Sequence, residues 1–221
     1  MIPLRALIRM NSFPAVTLGI IVINTLCFLF ERILDPYALQ TLIFHYGLVP
    51  AHLHLSSLVT SMFLHGGWMH LIGNMWFLWV FGSRVEDTLG GFRYGAYYLI
   101  CGVAAALVNI AASPSSPIPT IGASGAIAGI MGGFMLLYPR ARIVTLVILV
   151  VFVTTLELPA LIMLLYWFLI QLFSGLSSFG RLAVAGASNV AWFAHVGGFL
   201  AGMLFIALFG GASRRSNYLY R

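Results

Sequence analysis

The sequence predicts an all-α polytopic membrane protein, and three observations carry that prediction. The 221 residues are 61% hydrophobic and only 7% charged, with a mean hydropathy of +1.02. A soluble domain carries about 25% charged residues, so this chain cannot cover a water-facing surface, and neither an ordinary soluble domain nor a disordered chain fits. The apolar residues gather into six runs of spanning length. All eleven basic residues are arginines, and they lie between those runs rather than in one patch. That spacing argues for membrane orientation and against a nucleic-acid partner.

The first span is expected over about 14–30, behind Arg5 and Arg9. It has no small-residue cleavage site and is long enough to cross, so it reads as a span rather than a removable signal. Residues 31–60 form an outer loop with His45, Pro50, His52 and His54, mixed in polarity as a partly membrane-dipping loop would be. Spans two and three are placed at 61–82 and 94–112. The proline-rich segment Ser113–Ile121 follows as an outer loop, and span four covers 122–138. Residues 143–153 are apolar but short, and Thr154, Thr155, Glu157 and Pro159 follow them. The segment reads as interfacial or re-entrant, with a seventh span as the alternative. Spans five and six are placed at 159–176 and 190–209. Cys27 and Cys101 sit inside apolar runs and read as small core residues.

The arginines test the count. With the N-terminus inside, Arg5, Arg9, Arg84, Arg93, Arg140, Arg142, Arg214, Arg215 and Arg221 are internal, and only Arg32 and Arg181 are external. That is a positive-inside bias. A seventh span would carry the C-terminal arginines outside. The expectation is therefore one membrane domain over 1–221, with six spans and both termini cytoplasmic, in a prokaryotic plasma membrane.

No acidic residue falls within the six spans so drawn: Glu31 and Asp35 lie outside, and Glu86, Asp87 and Glu157 lie near the inner face. H-E-x-x-H is absent, which removes a zincin-type metalloprotease. Two-aspartate catalysis has no aspartates to use, and proton-coupled transport loses its usual intramembrane carboxylates. What remains is neutral. Span two carries His65, His70 and Asn74; span four opens with Gly122-Ala-Ser124-Gly125 and continues to Gly129; span six carries His195, Gly198 and Gly202. Under the six-span topology all three run from outside to inside, so these groups share one depth. His70 and Asn74, four apart, lie on one helical face. Gly125 with Gly129, and Gly198 with Gly202, are small-xxx-small pairs that allow close helix approach.

Each motif alone has an ordinary packing explanation. Together, at one depth, they describe acyl transfer. A serine hydroxyl needs a base to become a nucleophile, and neutral histidine is the natural base near neutral pH. Ser124 and His195 would form a dyad, with no carboxylate to orient the base. His70, Asn74 and the Ser124 backbone N–H are the candidate donors to the oxyanion, the last at a helix N-terminus. No cofactor or metal is expected, since no carboxylate or cysteine joins the histidines.

From Leu58 to Gly202 these residues resemble the rhomboid family of intramembrane serine proteases. The resemblance rests on His65-x4-His70-x3-Asn74, on Gly122-Ala-Ser124-Gly125, and on His195 followed by Gly198 and Gly202, with Val85-Glu86-Asp87 and Gly90 after span two. It implies a six-helix core around a water-filled cavity open to the outer side. It also implies Ser124 and His195 as catalytic dyad, and cleavage of single-span membrane proteins at the bilayer surface. Two features depart from the family pattern. Ala128 stands four residues after the serine, where many members carry a tyrosine against the catalytic histidine. The frequent Trp-Arg pair of the first outer loop is not evident in 31–60. The alternatives are an inactive rhomboid-like protein that binds membrane clients, which loss of Ser or His would mark, and a small-solute transporter.

Overall fold

The computed structural model of the chain describes residues 1–149, 152–178 and 191–209. Arg181, Arg214, Arg215 and Arg221, used above to count spans, lie outside them, as does residue 190. The order of elements is β1 (Ile2–Ala6), α1 (Ala15–Ile33), α2 (Pro36–Tyr46), α3 (Ser57–Thr60), α4 (Trp68–Phe77), α5 (Ser83–Leu89), α6 (Gly91–Ala112), α7 (Ser124–Leu137), β2 (Arg142–Leu149), β3 (Phe152–Pro159), α8 (Ala160–Ser178) and α9 (Trp192–Phe209). Among the described residues four helices are long and apolar enough to cross a membrane: α1, α6, α8 over Ala160–Ser177, and α9. Helix α7 is apolar but shorter.

The boundaries correct the sequence reading in several places. Helix α1 continues to Ile33, so Glu31 lies inside it, buried at 2% exposure. Within the expected second span the continuous helix starts at Trp68, not 61, and runs on to Leu89: α4 and α5 join through a π-helical turn at Leu78–Gly82. Such a turn inserts one extra residue per repeat and shifts the helix face. At Gly82 the missing side chain leaves room for the Tyr94 hydroxyl of α6. The 31–60 segment holds α2, whose first turn is closed by Asp35: its carboxylate accepts from the N–H groups of Tyr37 and Ala38 at 2.9 and 3.1 Å, with Pro36 suited to the first helical position.

The fold is not all-α. Of the segment 143–153, expected to be interfacial or re-entrant, the described residues 143–149 and 152–153 lie in the antiparallel strands β2 and β3, and β1 adds to β2 to give the order β1–β2–β3. Ala6 pairs Ile143 and Ile2 pairs Leu146; Arg142 pairs Pro159 and Leu149 pairs Phe152. The run Ile143-Val-Thr-Leu-Val-Ile is rich in β-branched residues, which favour a pleated surface. Ile143, Thr145 and Val147 are buried in alternation, the period of a half-buried strand. The sheet is held from two sides. Trp76 Nε1 of α4 donates to the Pro3 carbonyl at 2.5 Å, and Thr145 Oγ1 donates to Met163 Sδ of α8 at 3.6 Å.

The acidic pair of α5 ties the start of α1 in place. Pro14, ahead of α1, offers no side-chain cap. The Glu86 carboxylate supplies it, accepting from Val16 N–H at 2.9 Å and from the N–H and hydroxyl of Thr17 at 2.7 Å each. Asp87 accepts from Asn11 and Ser12. The Glu86 bonds satisfy first-turn donors that a helix leaves open, and the Asp87 bonds hold the segment just ahead of α1.

Candidate active site

Ser124 is the first residue of α7 and is delivered by the turn before it. Gly122 has φ of +124°, a region that disfavours any side chain, and its N–H donates to the Ser61 carbonyl at 2.8 Å. Leu48 and Thr120 exchange backbone hydrogen bonds at 2.9 and 2.8 Å, which moors the proline-rich loop to the 31–60 segment. His195 comes from α9. Helices α7 and α9 cross through their glycines: the carbonyls of Gly125 and Gly129 occupy the space that a Cβ on Gly198 and on Gly202 would need. That contact brings Ser124 and His195 together. His195 Nε2 lies 2.7 Å from Ser124 Oγ.

His70 and Asn74 face the same spot from α4. A Cβ at Gly122 would stand 2.8 Å from His70 Nε2 and 3.7 Å from Asn74 Nδ2. Asn74 is 8% exposed, and its Nδ2 has no hydrogen-bond partner among the described residues. A buried donor left open is costly, and here it is placed beside the turn that carries Ser124. Gly66 N–H donates to His70 Nδ1 at 3.4 Å; with Nδ1 accepting, the ring proton sits on Nε2, on the side of Gly122.

His65 stands behind them. It is buried, its ring lies 5.2 Å from that of His70 in an edge-on arrangement, and its N–H donates to the Glu31 carboxylate at 3.2 and 3.3 Å. Glu31 was placed outside the spans from sequence; the structure makes it an anchor for the His65–Gly67 turn.

A cavity of about 510 Å³ joins these groups, with His70, Asn74, Gly122, Ser124, Gln171 and His195 in its wall. Two of the residues around His195 were not singled out from sequence. Gln171 Oε1 of α8 lies 2.7 Å from His195 Nδ1. The Trp167 ring, one turn earlier on α8, has its centroid 5.9 Å from that of His195 at 39°. Ala128 is fully buried in α7; among the described residues Trp167 and Trp192 are aromatic neighbours of His195. The signal in the sequence was Gln171 itself, the one carboxamide in an otherwise apolar run, and intramembrane polar residues are functional candidates. Among the described residues no group of three or more His, Cys, Asp or Glu is placed to hold a metal ion.

The family profile described as "Rhomboid domain" matches residues 52–212. RHOMBOID-like protein 5 of Arabidopsis thaliana is 37% identical over 78 residues, which is 35% of this chain and 25% of that protein. RHOMBOID-like protein 4 of the same plant is 30% identical over 154 residues, 66% of this chain and 32% of the relative. The human presenilin-associated rhomboid-like protein, mitochondrial, is 32% identical over 128 residues, 57% of this chain and 33% of the relative. This chain thus spans about a quarter to a third of the length of the curated relatives it matches. The human relative is named as a mitochondrial protein, so it lends no support to the prokaryotic plasma membrane expected above.

Proposed function

This chain belongs to the rhomboid family, and from that premise we propose that it is an intramembrane serine protease acting through Ser124 and His195. One observation carries the proposal: the 2.7 Å contact between Ser124 Oγ and His195 Nε2, at the wall of a cavity that holds the other polar groups. In this reading α4 and α5 act as one span through their π-turn and α7 as another. With α1, α6, α8 and α9 they make six, with the cavity opening to the outer side.

The chemistry runs as acyl transfer. His195 Nε2 takes the Ser124 proton as Oγ attacks the scissile carbonyl. The carbonyl oxygen becomes an oxyanion, and donors aimed at its position stabilise it more than the ground state. His70 Nε2–H, Asn74 Nδ2–H and the Ser124 backbone N–H, open at the first turn of α7, are those donors. The imidazolium then gives its proton to the leaving amine. Water attacks the acyl-enzyme with His195 again as base, which releases the new carboxyl end and restores Ser124. The substrates are single-span membrane proteins that reach the site from the bilayer, and a scissile stretch must leave its helix, because helical carbonyls are already hydrogen-bonded.

The test is reaction of the purified protein with a fluorophosphonate. The probe should modify Ser124, and the Ser124→Ala protein should neither react nor cleave a membrane-protein substrate. Turnover by folded Ser124→Ala protein removes the assignment. The His195→Ala protein should also lose reaction at Ser124, because the hydroxyl then keeps its proton.

A further inference from the structure

We infer that α8 is the element that orients the base: Gln171 holds His195 in the tautomer able to accept the Ser124 proton, and Trp167 lies against the imidazole. The purpose of that orientation rests on the protease reading above; the contact itself does not.

Gln171 Oε1 can only accept, so the 2.7 Å contact requires His195 Nδ1 to carry the ring proton. The lone pair then sits on Nε2, the nitrogen 2.7 Å from Ser124 Oγ. The opposite tautomer would point an N–H at the hydroxyl and could not receive its proton. Gln171 is 7% exposed, so water competes weakly for its carbonyl. Trp167 and Gln171 are four residues apart and share one face of α8; one meets the imidazole ring and the other its Nδ1. The arrangement is a triad with a neutral third member. An amide selects the tautomer as a carboxylate would, but it adds no negative charge to steady the imidazolium. Because Trp167 and Gln171 also line the cavity, a displacement of α8 would cost the base its orientation.

Gln171→Leu and Gln171→Glu test this. Leucine removes the acceptor and keeps an apolar helix face. We expect the rate of Ser124 phosphonylation and kcat to fall by about 10²-fold, a large part of what a placed base supplies, with KM and melting temperature near wild type. Glutamate restores an acceptor and adds charge. Its rate should exceed that of the leucine variant by about tenfold, one factor of ten being ~1.4 kcal/mol of barrier. The acid limb of its pH–rate profile should move to higher pH. A purely structural role predicts instead that glutamate, a buried charge, is the worse variant in both rate and melting temperature. Leucine protein that reacts at the wild-type rate, or glutamate protein no faster than leucine, overturns the inference.

Nitrogen-15 NMR of histidine-labelled protein reads the tautomer without any reaction. His195, identified by its loss in His195→Ala, should be protonated at Nδ1 in wild type and mixed in Gln171→Leu. Protonation at Nε2 in the wild type overturns the inference whether or not the protein cleaves anything. A wild-type protein with the Nδ1–H tautomer that never reacts at Ser124 sinks the protease reading and leaves the positioning intact.

Discussion

At the residue scale the proposed donors His70 and Asn74 are open to direct test. Asn74 presents a buried amide nitrogen without a partner among the described residues, 3.7 Å from the Cβ position of Gly122. If that donor serves the oxyanion, it acts mainly in the transition state. Asn74→Ala should then lower kcat by a factor on the order of 10²–10³, with substrate binding little changed. Asn74→Asp, which sets a negative charge where the oxyanion forms, should be at least as inactive. Steady-state kinetics beside a melting curve separates this from a packing role, which would lower melting temperature and yield before kcat. A folded Asn74→Ala enzyme with wild-type kcat leaves His70 and the Ser124 N–H as the donors.

At the element scale the decisive contact is the crossing of α7 and α9. The Gly125 carbonyl fills the space of a Gly198 side chain, and the Gly129 carbonyl that of Gly202. A side chain there has backbone, not a flexible chain end, to push against, so the helices must separate. Overpacking typically costs about 1–3 kcal/mol, and here it also opens the hydrogen bond between Ser124 and His195. Gly198→Val should therefore lower the melting temperature and abolish fluorophosphonate reaction together, while Gly198→Ala shows a smaller loss of both. Valine protein that melts and reacts like wild type would mean that the crossing does not set the dyad distance. The same logic explains the short α7: with eleven of its fourteen residues buried, it is an internal helix enclosed by its neighbours.

At the scale of the whole molecule the prediction is topological. The proposed orientation places the 113–121 loop and the Arg140–Arg142 turn on opposite sides of the membrane. Single cysteines at Ser115 and at Arg140, in protein with Cys27 and Cys101 replaced, should differ in reaction with an impermeant thiol reagent. The residue 115 variant should label in sealed vesicles or cells from the outer side. The residue 140 variant should label only after the membrane is opened. Labelling of position 140 from the outer side in intact membranes would invert or break the six-span arrangement.

The apolar runs, the arginine placement and the three polar motifs are local properties of the chain. They determined by themselves that this is a polytopic membrane protein, and they picked out Ser124, His195, His70 and Asn74 as groups to bring together. Tertiary structure decided the rest. The pairing of β2 with β3 was hidden because a short apolar run has no period that tells a strand from a buried helix turn; β1, well over a hundred residues earlier, also pairs with β2. Glu31 became an internal anchor because His65 N–H, thirty-four residues on, needs an acceptor. Gln171 meets His195 only once α8 is laid against α9, since an amide twenty-four residues before that histidine gives no sign in sequence of which ring it will meet. Hydropathy and spacing are summed along one segment, whereas a hydrogen bond between helices exists only once packing has set their separation and rotation to within a fraction of an ångström.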